Sequence, residues 1–399
     1  MKESMNINSL ISKFNNENIL FLQGPLGPFF KRFSKYLNKN NKIYKINFTA
    51  GDFIFYPSKY NYKGSLNNLK SYLDNFYKLN KITCIILFGD TRPIHEIAIN
   101  LAKKLNIKIY VFEEGYLRPN YITCEMTGVN ANSLMSKNKN DYKKLNTYKE
   151  NSKLFKSSFK IMAFYALMYY TFSIIFQVFY NNKNYHRPLN IMELFRWFRH
   201  FYRKAKYSIL EKNVDNLAKK YSKKYFLAVL QVHNDSQIKK HFKDKGMKKF
   251  IVKTIKSFAK NRTNNNVLIF KHHPLDIAYT DYSNIINELT KRLGISDKVF
   301  YIHRGNIPNL LKNAKGCICI NSTVGMQALY HNCPTIVLGN AIYNIDGLVY
   351  KNDLDSFWQN AHNFVSDYDL YLKFQGYLLK NNQYNANFYL NFKEFEIGN

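Results

Sequence analysis

Cysteine is scarce and odd in number. Five residues (Cys84, Cys124, Cys317, Cys319, Cys333) among 399 positions exclude a disulfide framework. Cys317 and Cys319 share a CICI run, where strand alternation would put both on one face. No second Cys/His pair at ligand spacing accompanies them, so a zinc site is not expected. Buried thiols in a reducing cytoplasm are the expectation. GxGxxG and P-loop motifs are also missing, and no metal is expected. The N-terminal stretch MKESMNINSLISKFNNEN has neither a continuous apolar run nor a small-residue cleavage site, and no signal peptide is expected.

Acidic side chains are few. Asp and Glu number 27 against 59 Lys and Arg, a formal net charge of +32. Hydrophobic residues at 46% and aromatics at 17% exclude a disordered polycation. The charge therefore belongs to a folded protein with an anionic partner: nucleic acid, phospholipid headgroups or an acidic small substrate. Lys, Asn, Ile and Tyr are all abundant, a compositional bias that raises the Lys count without any partner. No zinc finger or RNP-type signature accompanies the basic residues, so nucleic acid is not expected.

Short apolar runs alternate with helical spacing. Asn18–Gln23, Ile43–Phe48, Thr83–Phe88 and Ile107–Phe112 read as buried strands, with helices at Leu66–Leu79 and Ile94–Leu105. A second alternation has strands at Tyr225–Val232, Asn266–Lys271, Lys298–His303, Gly316–Asn321 and Pro334–Gly339, and helices at Phe250–Lys260, Tyr282–Leu293 and Thr323–His331. The fold class is α/β, with two such domains and a cleft between them. The expected divisions are an N-terminal domain over 1–135, a basic and apolar helical insertion over 136–222, and a second domain over 223–375. Residues 376–399 are expected to pack back on the first domain.

Ligands of such sheets bind beyond the carboxyl ends of the strands. The first strand runs into Gly24-Pro25-Leu26-Gly27, whose glycines suit close backbone approach. Another ends in Glu113-Glu114-Gly115, two carboxylates that could supply a general base or form a solvated acidic turn. In the second domain the strand ends carry Gln231-Val232-His233-Asn234-Asp235, Lys271-His272-His273-Pro274-Leu275-Asp276 and Asn321-Ser322-Thr323. A Ser or Thr capping a helix there would leave backbone amides for an anion.

FEEG (Phe112–Gly115), HP (His273-Pro274) and Ser322-Thr323 resemble motifs of bacterial transferases that use CMP-activated sialic acid or Kdo. FLQGPLGPFF, GDTRPIH (Gly89–His95), EEGYLRP, YHRPLN (Tyr185–Asn190) and QVHNDSQ (Gln231–Gln237) are similar to the capsule polysaccharide biosynthesis/export family, KpsS/LipB type. The resemblance implies a GT-B-like retaining transferase, with two Rossmann-like domains facing a cleft and a membrane-associating helical insertion. It would move Kdo from CMP-Kdo onto a phosphatidylglycerol-type lipid, beginning the poly-Kdo linker of a capsular polysaccharide. It implies Asp235 as nucleophile and Glu114, with Glu113 beside it, as acid/base. His273, Pro274, Ser322, Thr323, Lys271 and Gln231 would bind the CMP-sugar. Gly24, Gly27, Arg118 and Arg92, with Arg304, are candidates for the donor carboxylate or the acceptor. The partners implied are CMP-Kdo, an anionic phospholipid surface and other capsule biosynthesis or export proteins, and no cofactor is expected.

Ile161–Tyr180 (IMAFYALMYYTFSIIFQVFY) holds 17 apolar residues in 20 and no charge, enough to span a bilayer by length. Tyr165, Tyr169, Ser173 and Gln177 recur every four residues, a weakly polar stripe on a helix. Glu114 precedes this segment and His273 follows it, and one active site needs both on one side of a membrane. The segment is therefore expected to re-enter, to lie flat in the interface or to be buried as a core helix. Phe195–Tyr207 (FRWFRHFYRKAKY) suits an interfacial amphipathic helix. The expected location is the inner face of the cytoplasmic membrane, as a peripheral protein. A non-catalytic export or polysaccharide-binding component of the same fold, or a CMP-sialic-acid-type transferase, remains open.

Overall fold

The computed structural model describes residues 5–148, 152–181, 185, 189, 192–233, 238, 242, 244, 246–263, 265–392 and 395. The chain forms two compact units: unit 1 is Met1–Leu134, Tyr148–Glu193 and Gly376–Asn399, and unit 2 is Met135–Thr147 and Leu194–Gln375. The stretch 136–222, expected as one insertion, is thus shared by both units, because its helices seat on different sheets.

Unit 1 is built on a seven-stranded sheet of order β12-β6-β5-β4-β1-β2-β3. Its members are β1 (Asn18–Phe21), β2 (Lys42–Asn47), β3 (Tyr60–Asn61), β4 (Cys84–Phe88), β5 (Lys108–Glu114), β6 (Tyr121–Met126) and β12 (Gln383–Asn385). The first five are parallel; β6 adds antiparallel to β5 at one edge, and β12 antiparallel to β6 beyond it. Helices cover both faces, so the central strands are apolar throughout. Leu20, Ile85 and Leu87 pack on one face, while Ile19, Phe21, Cys84 and Ile86 pack on the other.

The apolar segment forms a helix over Phe159–Ile175. No helix among the described residues is long and apolar enough to cross a membrane. Nor is this helix enclosed in the core. It turns its polar stripe inward: Tyr169 OH donates to Asp52 Oδ1 at 3.0 Å and lies 2.8 Å from Thr49 Oγ1, and Gly51 N donates to Ser173 Oγ at 3.0 Å. Two glycines make the seat. A Cβ on Gly51 would fall 2.7 Å from the Tyr169 ring, and one on Gly27 would fall 2.5 Å from the Tyr165 ring. The opposite side shows solvent Phe164 at 57%, Leu167 at 44% and Ile175 at 62% exposure. The hydroxyls have specific partners inside, and that reverses the usual orientation of an amphipathic helix.

Unit 2 carries a five-stranded parallel sheet, order β11-β10-β7-β8-β9. Its strands are β7 (Tyr225–Val229), β8 (Val267–Lys271), β9 (Val299–Ile302), β10 (Gly316–Cys319) and β11 (Thr335–Val337). Strand alternation divides their side chains between two cores. Phe226, Ala228, Leu268 and Phe270 face one, and Tyr225, Leu227, Val229, Val267 and Ile269 face the other. The helix Met192–Leu210 anchors its inner side on the strand ends. Arg203 donates to the carbonyls of Ile277 and Thr280, and Tyr207 stacks on His303 at 3.5 Å. Its outer side leaves Phe195, Phe198, Phe201 and Tyr202 exposed. All five cysteines are free and buried.

Each unit repeats one device. Lys45 within β2 is buried and donates to the carbonyls of Ile46 and Leu22 at 2.8 and 2.9 Å. Lys271 at the end of β8 does the same to His272 and His303 at 2.9 and 2.8 Å. Burial lowers both ammonium groups to about 8.

Candidate functional site

In unit 1 the strand order reverses between β1 and β4; GDTRPIH follows β4, and EEGYLRP ends the neighbouring β5, with a Cβ on Gly89 falling 3.6 Å from Glu113 Oε2. Much of the first motif is architecture. His95 Nδ1 lies 2.6 Å from the carbonyl of Gly89, and burial holds its ring neutral, well below the ordinary imidazole range. Asp90 accepts from Val129 N and Asn132 Nδ2 at 2.9 and 3.1 Å. Arg92 lies over the Phe88 ring at 5.2 Å and reaches the carbonyl of Gly24 at 3.4 Å.

The carboxylates of β5 are placed differently from each other. Glu113 Oε1 accepts from Glu114 N at 2.9 Å. Its carboxyl is pushed up to about 7, chiefly by burial. The Glu114 N–H, Arg118 and Arg92 pull the other way, and the Glu114 charge adds to the rise. Glu114 Oε1 instead accepts from Tyr389 OH at 3.0 Å. Arg118 is tied back to the carbonyl of Gly115 at 3.1 Å. Gly115 is obligatory because a Cβ would meet the Tyr121 carbonyl oxygen at 2.1 Å. Gln383 Oε1 then accepts from both Tyr116 N and Leu117 N. Of the two glycines expected near ligand, Gly27 receives Tyr165, and a Cβ on Gly24 would strike Phe30 at 2.8 Å. Their smallness serves packing.

Unit 2 reverses its order between β7 and β10. There Gln231 and Asn321 pair reciprocally: Gln231 Nε2 donates to Asn321 Oδ1 at 2.9 Å, and Asn321 N donates to Gln231 Oε1 at 3.2 Å. Asn321 Nδ2 is buried without a hydrogen-bond partner among the described residues. Ser322 Oγ accepts from Val324 N at 3.2 Å, so the serine holds the first amide of the helix Val324–Tyr330, whereas Thr323, the N-cap residue, makes no side-chain cap. Tyr343 OH donates to the Ser322 carbonyl and supports this turn from below. His273 caps the short turn Pro274–Asp276, accepting from Leu275 N at 3.2 Å through Nδ1, which leaves Nε2 as its N–H. Arg304 donates to the Ser208 carbonyl and lines a groove of about 360 Å³ with Glu211, Lys212 and Asn306, a place that includes none of the other candidates.

Asp235 lies outside the described residues, but His233 just before it is described. Its Nδ1 is 2.6 Å from Oδ1 of the buried Asp276. Asp276 also accepts from Thr280 Oγ1 at 2.5 Å. Burial would raise this carboxyl, yet the bonds from His233 and Thr280 outweigh it and hold it below the ordinary range. Sequence reasoning missed Tyr389, Tyr343 and the Asp276–His233 pairing. Their only signal was the strand-end position of His233 and Asp276. No group of three or more His, Cys, Asp or Glu side chains that could hold a metal occurs among the described residues.

Similarity to known proteins agrees with the motifs. The capsule polysaccharide export protein KpsS of Escherichia coli is 35% identical over 392 residues, 96% of this chain and 99% of the relative. The capsule polysaccharide modification protein LipB of Neisseria meningitidis serogroup B is 34% identical over 412 residues, 98% and 96% of the two chains. Among solved structures, the β-Kdo 2,7 transferase of Thermosulfurimonas dismutans KpsC matches with a TM-score of 0.41 and 14% identity, covering 90% and 89%. The family described as capsule polysaccharide biosynthesis protein matches residues 83–389. With that match and those relatives along nearly its whole length, the chain belongs to the capsule polysaccharide biosynthesis family.

Proposed function

We propose that the chain is a GT-B-like glycosyltransferase that moves Kdo from CMP-Kdo, with retention, onto a phosphatidylglycerol-type lipid. The observation that carries this reading is Glu113, a carboxyl raised to about 7 at the end of a strand, within the electrostatic reach of Arg118 and Arg92. A group poised near neutrality serves as acid or base at working pH. Retention by two displacements needs a carboxylate to replace the leaving group and an acid/base group to activate the acceptor hydroxyl. Asp235 takes the first role, and Glu113 with Glu114 the second. In unit 2, the His273-Pro274 and Ser322-Thr323 strand ends, with the buried Asn321 amide that lacks a partner among the described residues, favour an anionic nucleotide. A phosphate monoester leaving group needs no diphosphate-bound metal. The exposed apolar faces of Phe159–Ile175 and Met192–Leu210 favour a lipid surface, with the chain peripheral on the inner face of the cytoplasmic membrane.

The test is to incubate the protein with CMP-Kdo and a fluorescent phosphatidylglycerol and to weigh the product. A glycolipid heavier by one Kdo, absent with Asp235→Ala, is expected. Full activity of Asp235→Ala removes that residue as nucleophile, and no product with any lipid refutes the acceptor. The name of the Escherichia coli relative favours a second reading, a non-catalytic export component. Calorimetry separates them: CMP binding that His273→Ala abolishes belongs to the transferase.

A further inference from the structure

His233 and Asp276 come from different strand ends, β7 and β8, and meet at 2.6 Å. Asp276 is fully buried, while the His233 side chain keeps about a third of its surface, 33%. A carboxylate only accepts, so the imidazole places its Nδ1–H on Asp276 and presents Nε2 outward. Around the pair stand the Tyr279 ring, tilted 5.4 Å from the imidazole, Arg196 over the Tyr279 ring at 5.3 Å, and His272, kept neutral by burial at about 4. A buried carboxylate that fixes one tautomer and steadies the imidazolium is the arrangement by which enzymes make histidine carry a proton. Neither the resemblance nor the transferase reading gives this pair a role.

We propose that His233, oriented by Asp276, donates a proton to the departing phosphate of the nucleotide-activated sugar. The inference rests on the transferase reading. The bond between the anomeric carbon and the phosphate oxygen breaks, and its electron pair stays on that oxygen. The Nε2 proton moves to the same oxygen while the nucleophile takes the carbon. In the second displacement the Glu113–Glu114 acid/base takes the acceptor hydroxyl's proton and releases it to water, and His233 regains one proton from water, so the cycle balances. Asp276 is a positioning residue and touches no substrate.

The experiment follows CMP release from CMP-Kdo, with phosphatidylglycerol present, for the wild type, His233→Gln, His233→Ala and Asp276→Asn between pH 5 and 9. His233→Gln should lower kcat by about 100-fold or more, with KM and CMP affinity within about threefold of wild type. Asp276→Asn should displace a limb of the kcat–pH profile, and added imidazole should restore part of the His233→Ala rate. A wild-type kcat in His233→Gln overturns the proposal. So does a loss matched by equal losses of CMP affinity and melting temperature, which would mark the pair as a turn brace. If the wild type releases no CMP, the transferase reading falls and takes this inference with it.

Discussion

Glu113→Gln should stabilise the protein while silencing it. The wild-type carboxyl titrates near 7 in the fold against an ordinary 4.5. At 1.36 kcal/mol per pH unit, ionising it in place costs about 3 kcal/mol relative to the unfolded chain. The folded state holds the extra proton between those values, so wild-type stability falls as pH rises from about 4.5 to about 7. Below that window the two proteins should match closely, since both side chains are neutral. Above it the glutamine should hold an advantage approaching that figure, because its Oε1 can still accept from Glu114 N. Spread over a unit of this size, the gain corresponds to a melting temperature higher by roughly 6–12 °C. Thermal melts of both proteins at pH 5 and pH 8 measure it. An offset equal at the two pH values would refute the buried-carboxyl argument, and full transfer activity in Glu113→Gln would refute its role as acid/base.

Other predictions concern neighbouring features. Tyr389→Phe removes the phenol from Glu114 and should reduce kcat/KM for transfer about tenfold without changing CMP affinity in unit 2. Gly27→Ala puts a methyl into the Tyr165 ring at a backbone φ of +100°, and should destabilise by roughly 2–3 kcal/mol in denaturant titrations. The protein should sediment with phosphatidylglycerol vesicles. Joint replacement of Phe164 and Leu167 by Ser should weaken that by about 3 kcal/mol, roughly 100-fold, while leaving the melting temperature near wild type. Unchanged sedimentation would remove this helix as a docking element.

The central strands were legible because a parallel sheet covered on both faces turns them into apolar runs. Their ends located the candidate residues for the same reason. The edge was not legible: β12 reads Gln-Tyr-Asn, yet all three are buried, Tyr384 in the apolar core and the two amides because they hold backbone. Asn385, for instance, donates to the carbonyls of Asn120 and Lys153. The polar stripe of Phe159–Ile175 was visible, but its inward direction depends on Asp52, Gly27 and Gly51, far away in sequence. Glu114 was a candidate from its motif, whereas its partner Tyr389 is 275 residues distant and stands in no motif. Spacing likewise could not show that Lys271 turns its ammonium onto two carbonyls, or that Ser322 rather than the N-cap Thr323 holds the first helical amide.

The pairing of β12 with β6 has a consequence for biosynthesis. Gln383, which grips the EEGYLRP turn, and Tyr389, which meets Glu114, leave the ribosome only after all of unit 2 has been made. Domains that fold during synthesis close in order along the chain. Here the first unit to emerge must wait for the last segment translated, so a chain cut short by premature termination cannot assemble its acidic centre.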